Sequence, residues 1–510
     1  MLGMMSITLG YALAADGAEI NGYLSDRLQG TVPSTASLMS TADLPMLQSL
    51  TEASALGRLR LLDDRLTVLV DASAFITWQG GYADREADGA NLVGVDDHDV
   101  PGDPRMVFSE AYVRLQPIDH LDITIGKRRV VWGTGMAFNP TDVLNPARDP
   151  TDASLQRAGV PLVMVEAPFA GFGLSALFAP GVLEERNGLP SALLSWPDVP
   201  PRESLGVGAS PDPRDEILHY AAAIKGSAFV EGTDVNVWAT VLNGYGTDPR
   251  EASPRLSLSL SRVFFEIHEL HFEGLVPAGS DRLSADSRCL SDVDGATTDD
   301  HATAIARCAV DGRTPLRRAW LHDDDLRPRW IVGSRSMFDD ESMLSIEWLY
   351  QADGLTRDEL QDVFTLQGVV GDLSRAGTMS PTALFGTEPS TGQGAPTRLA
   401  VTPLRRHHAV VSYQRPHLFD DFTITATALL ALEDLSGIVS GNVSWQTTEW
   451  LTLSLWGFLP TPSLPRALDA MGVDGARDVL WPVVVDGTPY GEFDTAAFAG
   501  RVMLEARAWF

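Results

Sequence analysis

The chain finishes Arg501-Val-Met-Leu-Glu-Ala-Arg-Ala-Trp-Phe510. Side chains of an extended strand alternate between two faces. Val502, Leu504, Ala506, Ala508 and Phe510 then share one face, and Arg501, Met503, Glu505, Arg507 and Trp509 share the other. The first face is wholly apolar. The second is largely charged and ends on an indole. A soluble core can take the apolar face. Alternatively, lipid takes it and a wet lumen takes the charges, as in a membrane barrel.

The remaining residues favour lipid. No run of about 18 apolar residues follows the N-terminus, so helical spans are excluded, but strands that cross a membrane are short and only half apolar. The formal charge is −30, and lysine occurs only at 127 and 225. Such acidity argues against nucleic acid as a partner. Runs such as Asp96-Asp97-His98-Asp99 and Asp323-Asp324-Asp325 suit turns and solubility, with ion bridging to anionic lipid headgroups as a second use. Residues 1–14 are apolar and end Ala12-Leu13-Ala14, which suits a signal peptide lacking its basic start. The remainder, 15–510, shows no linker or internal repeat and reads as one domain. Cys289 and Cys308 share one polar segment, and a disulfide closing that loop is the simplest expectation for an exported chain.

Alternation recurs throughout. Leu256, Leu258 and Leu260 interleave with Ser257, Ser259 and Ser261. Phe422, Ile424, Ala426 and Ala428 interleave with Thr423, Thr425 and Thr427. The pattern predicts about 18 strands, centred near 24, 57, 72, 112, 127, 164, 175, 222, 238, 260, 273, 333, 347, 412, 427, 443, 455 and 504. Tight turns, for example Asp63-Asp64-Arg65 and Phe419-Asp-Asp421, alternate with long polar or Gly/Pro-rich stretches such as 180–214 and 352–405. An even strand count places both termini and the tight turns on one side. Short periplasmic turns and long extracellular loops describe a transmembrane antiparallel β-barrel of the bacterial outer membrane. Thr356-Arg-Asp-Glu359 is a capping-box pattern and predicts a short helix within one long loop. Tyr23, Trp78, Trp132, Tyr220, Trp330, Tyr350, Tyr413, Trp450 and Trp509 lie near strand ends and are candidates for interfacial girdles.

The most distinctive internal stretch is Gly126-Lys-Arg-Arg-Val-Val-Trp132-Gly-Thr-Gly135-Met-Ala-Phe-Asn139-Pro140-Thr-Asp142-Val-Leu-Asn145-Pro146. It leaves a strand, turns at two glycines and stiffens at two Asn-Pro steps. Such a loop can fold inward and narrow a pore, with Trp132, Asn139, Pro140, Asp142, Asn145 and Pro146 as its candidate constriction residues. The stretch 110–149 resembles an uncharacterised family of proteobacterial outer-membrane proteins that carries Gly-Arg-Gln-x-x-x-Trp-Gly followed by Asn-Pro-x-Asp loops. It is more distantly similar to alginate-export porins. Here Lys127-Arg128 stand where that family has Arg-Gln, so no role is carried over for them. The ending on Phe510 resembles the closing strand of bacterial outer-membrane barrels, which implies reading by the barrel-assembly machinery. Outer-membrane lipid, lipopolysaccharide and an unknown solute are the other expected partners.

Projecting the alternation puts Arg27, Arg58, Arg60, Arg114, Arg501 and Arg507 on lumen faces, with Arg128 a further candidate because a bulge at Gly126 would leave its parity open. Asp71, Glu110 and Glu505 fall among them. Two readings follow: a basic wall that guides anionic solutes, or ion pairs that brace the barrel. No catalytic or metal site is expected, and no cofactor. His268-Glu-Leu-His271 lacks the spacing of a zinc protease and sits at a predicted periplasmic turn, where it reads as solvated. The imidazoles of His407 and His408 point to opposite faces of a strand and do not share a metal. The expected function is a porin-like channel or exporter passing a solute or secreted product. A loop-plugged binding or structural barrel is the alternative, and a barrel-borne hydrolase ranks third.

Overall fold

A computed structural model describes residues 18–33, 45–82, 100–101, 105–144, 159–180, 220–243, 252–280, 283–285, 316–318, 321–360, 362, 405–461 and 498–509. The expected signal segment 1–14, Asn145, Pro146, Cys289, Cys308 and Phe510 lie outside these residues. Eighteen strands build one antiparallel barrel. They are β1 (Ala18–Pro33), β2 (Pro45–Leu61), β3 (Leu66–Tyr82), β4 (Arg105–Ile118), β5 (Leu121–Arg128) and β6 (Val160–Phe169). Next come β7 (Phe172–Pro180), β8 (Tyr220–Val230), β9 (Thr233–Asn243), β10 (Ala252–Phe264), β11 (His268–Ser280) and β12 (Arg329–Met337). The last are β13 (Met343–Gln351), β14 (His407–Leu418), β15 (Phe422–Ala431), β16 (Gly437–Thr448), β17 (Leu451–Thr461) and β18 (Phe498–Trp509). Each centre predicted from sequence falls inside one of them.

Neighbours in sequence pair with each other, and β18 closes on β1 with Tyr23 opposite Trp509 and Gly30 opposite Val502. Closure satisfies both sides of every strand, the condition for a sheet in lipid. The two faces of β18 separate as its sequence requires: Val502 and Leu504 are 53% and 52% exposed, whereas Met503 and Glu505 are buried. The same holds on β10, where Leu256 points out and Ser257 and Ser259 point in. The outer belt is therefore apolar and faces lipid, and this is a barrel of the outer-membrane type.

Tight turns occupy one end, at 62–65, 119–120, 170–171, 231–232, 265–267, 338–342, 419–421 and 449–450. Several of their residues are left-handed, among them Asp63, Asp64, His120 and Asp420. Asp tolerates that region better than most residues because its side chain bonds locally. Aromatic pairs mark the rims of the belt. Phe169 stacks on Phe172 and Phe422 on Trp445 at the turn end, and Trp330 meets Trp348 and Tyr350 at the other. Tyr23, Trp132 and Trp509 do not join them. All three turn into the lumen, because their parity on the strand, or their position on the inward loop, outweighs their place near a strand end. The capping box forms as predicted: Glu359 N donates to Thr356 Oγ1, and Thr356 N donates to Glu359 Oε2 at 2.8 Å. His407 packs outward on Trp348 and Tyr350, and His408 is fully buried on the inner side.

Leu504→Arg places a charge on the lipid face and should cost about 2–4 kcal/mol if it sits near mid-membrane. Denaturant titration in lipid vesicles, read by heat-modifiable gel mobility, checks this. A stability equal to the parent would mean that the face does not meet lipid.

Candidate functional site

The site begins where β5 ends. Gly126 has φ 131°, a conformation other residues rarely adopt, and a Cβ there would strike the backbone of Ala111 and Tyr112. The β5–β6 ladder runs through this glycine without a register shift, Gly126 opposite Leu162 and Arg128 opposite Val160, which settles the parity that the sequence left open. Arg128 lies in the lumen, donating to Glu166 Oε2 at 2.8 Å and to Thr124 Oγ1 at 3.2 Å. Arg129, not anticipated, starts the loop. Its backbone N donates to Glu110 Oε1 at 2.9 Å, and its guanidinium reaches Asp71 at 3.2 Å and Glu110 at 2.9 Å.

Residues 130–144 then cross the barrel interior. Val130, Val143 and Leu144 bury against Val160, Leu162 and Met164 of β6, Leu177 of β7 and Leu275 of β11. Phe138 buries against Ile331, Leu349, Val410 and Leu429 on β12 to β15. Trp132 meets Trp238 edge to face at 6.1 Å, and the Lys225 ammonium lies 5.7 Å from both rings.

Two carboxylates on the far wall hold the loop. Glu273, fully buried on β11, accepts from the amides of Thr134 (2.7 Å), Gly135 (3.0 Å) and Thr141 (3.0 Å) and from Thr141 Oγ1 (2.6 Å). Glu347, 1% exposed on β13, accepts from the amides of Met136 (2.5 Å), Ala137 (2.9 Å) and Phe138 (3.2 Å). His271 Nε2 lies 3.1 Å from the same carboxylate. A loop off its own strand has no ladder partner, and buried amides must be satisfied. Here the two glutamates supply the acceptors. Gly133 is needed because a Cβ would strike the Glu273 carboxylate, and Gly135 because it would strike Phe138 O. His271 is 2% exposed, so the solvated role read from sequence is corrected: β11 starts at His268 and carries His271 inside.

Of the predicted constriction residues, Trp132, Asn139, Pro140 and Asp142 lie on this inward loop. Asn139 caps a turn, its carbonyl accepting from Asp142 N at 3.1 Å and its side-chain Oδ1 lying 3.1 Å from Thr141 Oγ1.

The predicted arginines line the remaining wall, on β18, β1, β2, β4 and β5. Each whose side chain is described has an acidic partner. Arg27 and Arg507 meet Glu505 at 3.1 and 2.7 Å. Arg58 and Arg60 share Glu19 at 3.5 and 3.4 Å. Arg114 takes Asp122 with both ends of its fork, at 3.1 and 2.9 Å. Arg501 stands on β18 opposite Thr31 and Phe458. Beyond β18 the lumen wall of β14 to β17 is uncharged and hydroxyl-rich: Ser412 bonds Thr427, and Ser444 bonds Ser454 and Asn442.

No family model matches this chain, and no curated protein matches it in sequence. Solved structures share its outline. Acinetobacter baumannii OccAB1 is 7% identical, with 98% of each chain covered and a TM-score of 0.47. Pseudomonas aeruginosa OccK2 (OpdF) is 10% identical over 96% of this chain and 98% of that one, with a TM-score of 0.46. The outer membrane protein opdK from Pseudomonas aeruginosa is 7% identical over 97% and 98%, with a TM-score of 0.44. Identity and overlap this low speak to neither substrate nor mechanism.

Glu273→Gln with Glu347→Gln keeps the shape but removes charge-assisted bonds worth about 1.5–3 kcal/mol each. The loop should loosen, so single-channel conductance should rise about twofold or more and become noisy. Unchanged conductance would mean that packing alone holds the loop.

Proposed function

We propose that the chain forms a porin-like channel that passes small polar solutes across the outer membrane. One observation carries the reading. The inward loop packs on the β6–β15 side of the lumen and leaves the β16–β4 side lined by polar groups. Arg58, Arg60 and Arg114 on that side keep 36%, 40% and 48% of their side-chain surface accessible. A purely structural barrel needs no such strip.

The rest of the expected biology joins the proposal. The chain is exported with cleavage after Ala14, residues 15–510 form the barrel domain, Cys289 and Cys308 close a loop, and the assembly machinery reads Phe510. It sits among outer-membrane lipid and lipopolysaccharide and is not an enzyme. The stretch 110–149 supports kinship with the uncharacterised outer-membrane family that it resembles, and more distantly with alginate-export porins. The ion pairing of the arginines supports their bracing role as much as a guiding one. As solute-contacting groups the readiest are Arg58, Arg60 and Arg114, because Glu19 and Asp122 leave part of each guanidinium accessible, whereas Arg27 is buried on Glu505.

Planar-bilayer recording tests the channel: discrete conductance steps are expected, and repeated insertions without current would sink it. Arg58→Ala with Arg60→Ala removes both cations facing Glu19. The reversal potential in a salt gradient should then shift toward cation preference by about twofold. Unchanged selectivity and conductance would remove these arginines from the solute path.

A further inference from the structure

A cavity of about 880 Å³ lies between the root of the inward loop and the turn end of the barrel. That volume falls in the range of about 300–1,000 Å³ usual for small-molecule sites. Arg129, Asp71 and Glu110 form its upper wall, Arg58 and Ser54 its flank, and Trp450 and Trp509 its mouth.

The charges do not make this an anion site. Arg58 and Arg129 share the cavity with Asp71, Glu110 and Glu449. Arg129 is already bonded to Asp71 and Glu110, and Arg58 to Glu19. An incoming carboxylate would displace a carboxylate already in place and meet others beside it. A free cation meets guanidinium groups in the same way.

What the wall offers instead is donors and acceptors side by side with no strong net field. The Arg–carboxylate pairs present both, and Asn21 and Ser54 add more. Tyr23 turns its hydroxyl to Glu52 at 2.9 Å and its ring toward Trp509 at 5.3 Å. Trp450 and Trp509 are 57% and 47% exposed, so each has ring surface free for a ligand. Sugar hydroxyls are at once donors and acceptors, and the C–H faces of a sugar ring pack on indole. Above the aromatic mouth, the hydroxyl wall of β14 to β17 continues the same chemistry along the lumen.

We infer that this vestibule is a binding site for a neutral carbohydrate of one or two rings, with Trp450 and Trp509 as its platform and Asn21, Ser54 and the Arg129–Asp71–Glu110 cluster bonding the hydroxyls. The inference rests on the open-lumen reading above.

The test uses the full-length protein in a planar bilayer. Ion current is recorded while sucrose, an acidic disaccharide of similar size (one ring a glucuronate), or a zwitterionic amino acid is added on the turn side. Sucrose should block the current in a saturable way. Trp450→Ala should weaken that block about fivefold while the open channel still conducts. Asn21→Ala is a milder second variant, with folding of both checked by heat-modifiable mobility. Stronger block by the sugar acid or the amino acid overturns the inference in favour of a charged ligand. A conducting channel that no solute blocks overturns the site but leaves the channel standing. A barrel with no current overturns the channel, and sucrose quenching of tryptophan fluorescence in detergent then decides the site alone. Quenching lost in Trp450→Ala supports it, and no quenching overturns it.

Discussion

Two buried carboxylates decide what kind of barrel this is. Eighteen strands alone would enclose a wide lumen. Glu273 and Glu347 draw one loop across it by accepting backbone amides from residues 134 to 141. A buried carboxylate is costly without hydrogen bonds, and a buried amide is costly without an acceptor. Each group here removes the other's penalty. Apolar packing of Val130, Leu144 and Phe138 then fills the space behind the loop. Among the described residues, the lumen is divided into a packed half and an open half.

That division explains the distribution of charge. On the packed half, the lumen positions that pack on the loop's apolar side chains are Leu, Met, Val, Ile and Ala, and Glu273 and Glu347 stand among them to hold its backbone. On the open half the strands carry Arg, Asp, Glu, Ser and Thr, because those positions meet water. The ion pairs are cross-strand neighbours, such as Arg27 with Glu505, or lie next to each other on one strand, such as Arg507 with Glu505. They set the rotamers of long side chains that would otherwise sweep across the channel. The half-exposed pairs of Arg58 and Arg60 with Glu19 add little to stability, whereas the Glu505 pairs are largely buried. The larger effect of the pairs is to fix which donors face the lumen.

Much of this was legible in the sequence, for a physical reason. Lipid on one face and water on the other impose a strict period of two, and tight turns punctuate it with Asp and Gly. Strand number, the lumen arginines and the inward loop follow from that period and from Gly133, Gly135 and the Asn-Pro steps. The anchors do not. Glu273 and Glu347 stand 132 to 211 residues from the amides they hold, and no spacing rule links a loop to a wall that distant. The available signal was only a lone glutamate at a lumen position beside Leu275 or Leu349. Arg129 was missed because it lies one residue past the end of β5, where strand alternation no longer sets the direction of a side chain. His271 was misread because the turn before β11 ends at Ile267, one residue before the predicted motif begins.

The seam between β1 and β18 has a temporal consequence. Arg27 and Glu505 are separated by 478 residues, nearly the whole chain, yet sit in adjoining strands. Contacts so distant along the chain are slow to form, since a long segment must be ordered before they return any energy. Until the last strand arrives, β1 presents a bare edge able to pair with any other strand. The seam of the open wall, from Arg27 to Arg507, therefore does not exist until the barrel closes. It is created in one event, when the final segment zips onto the first.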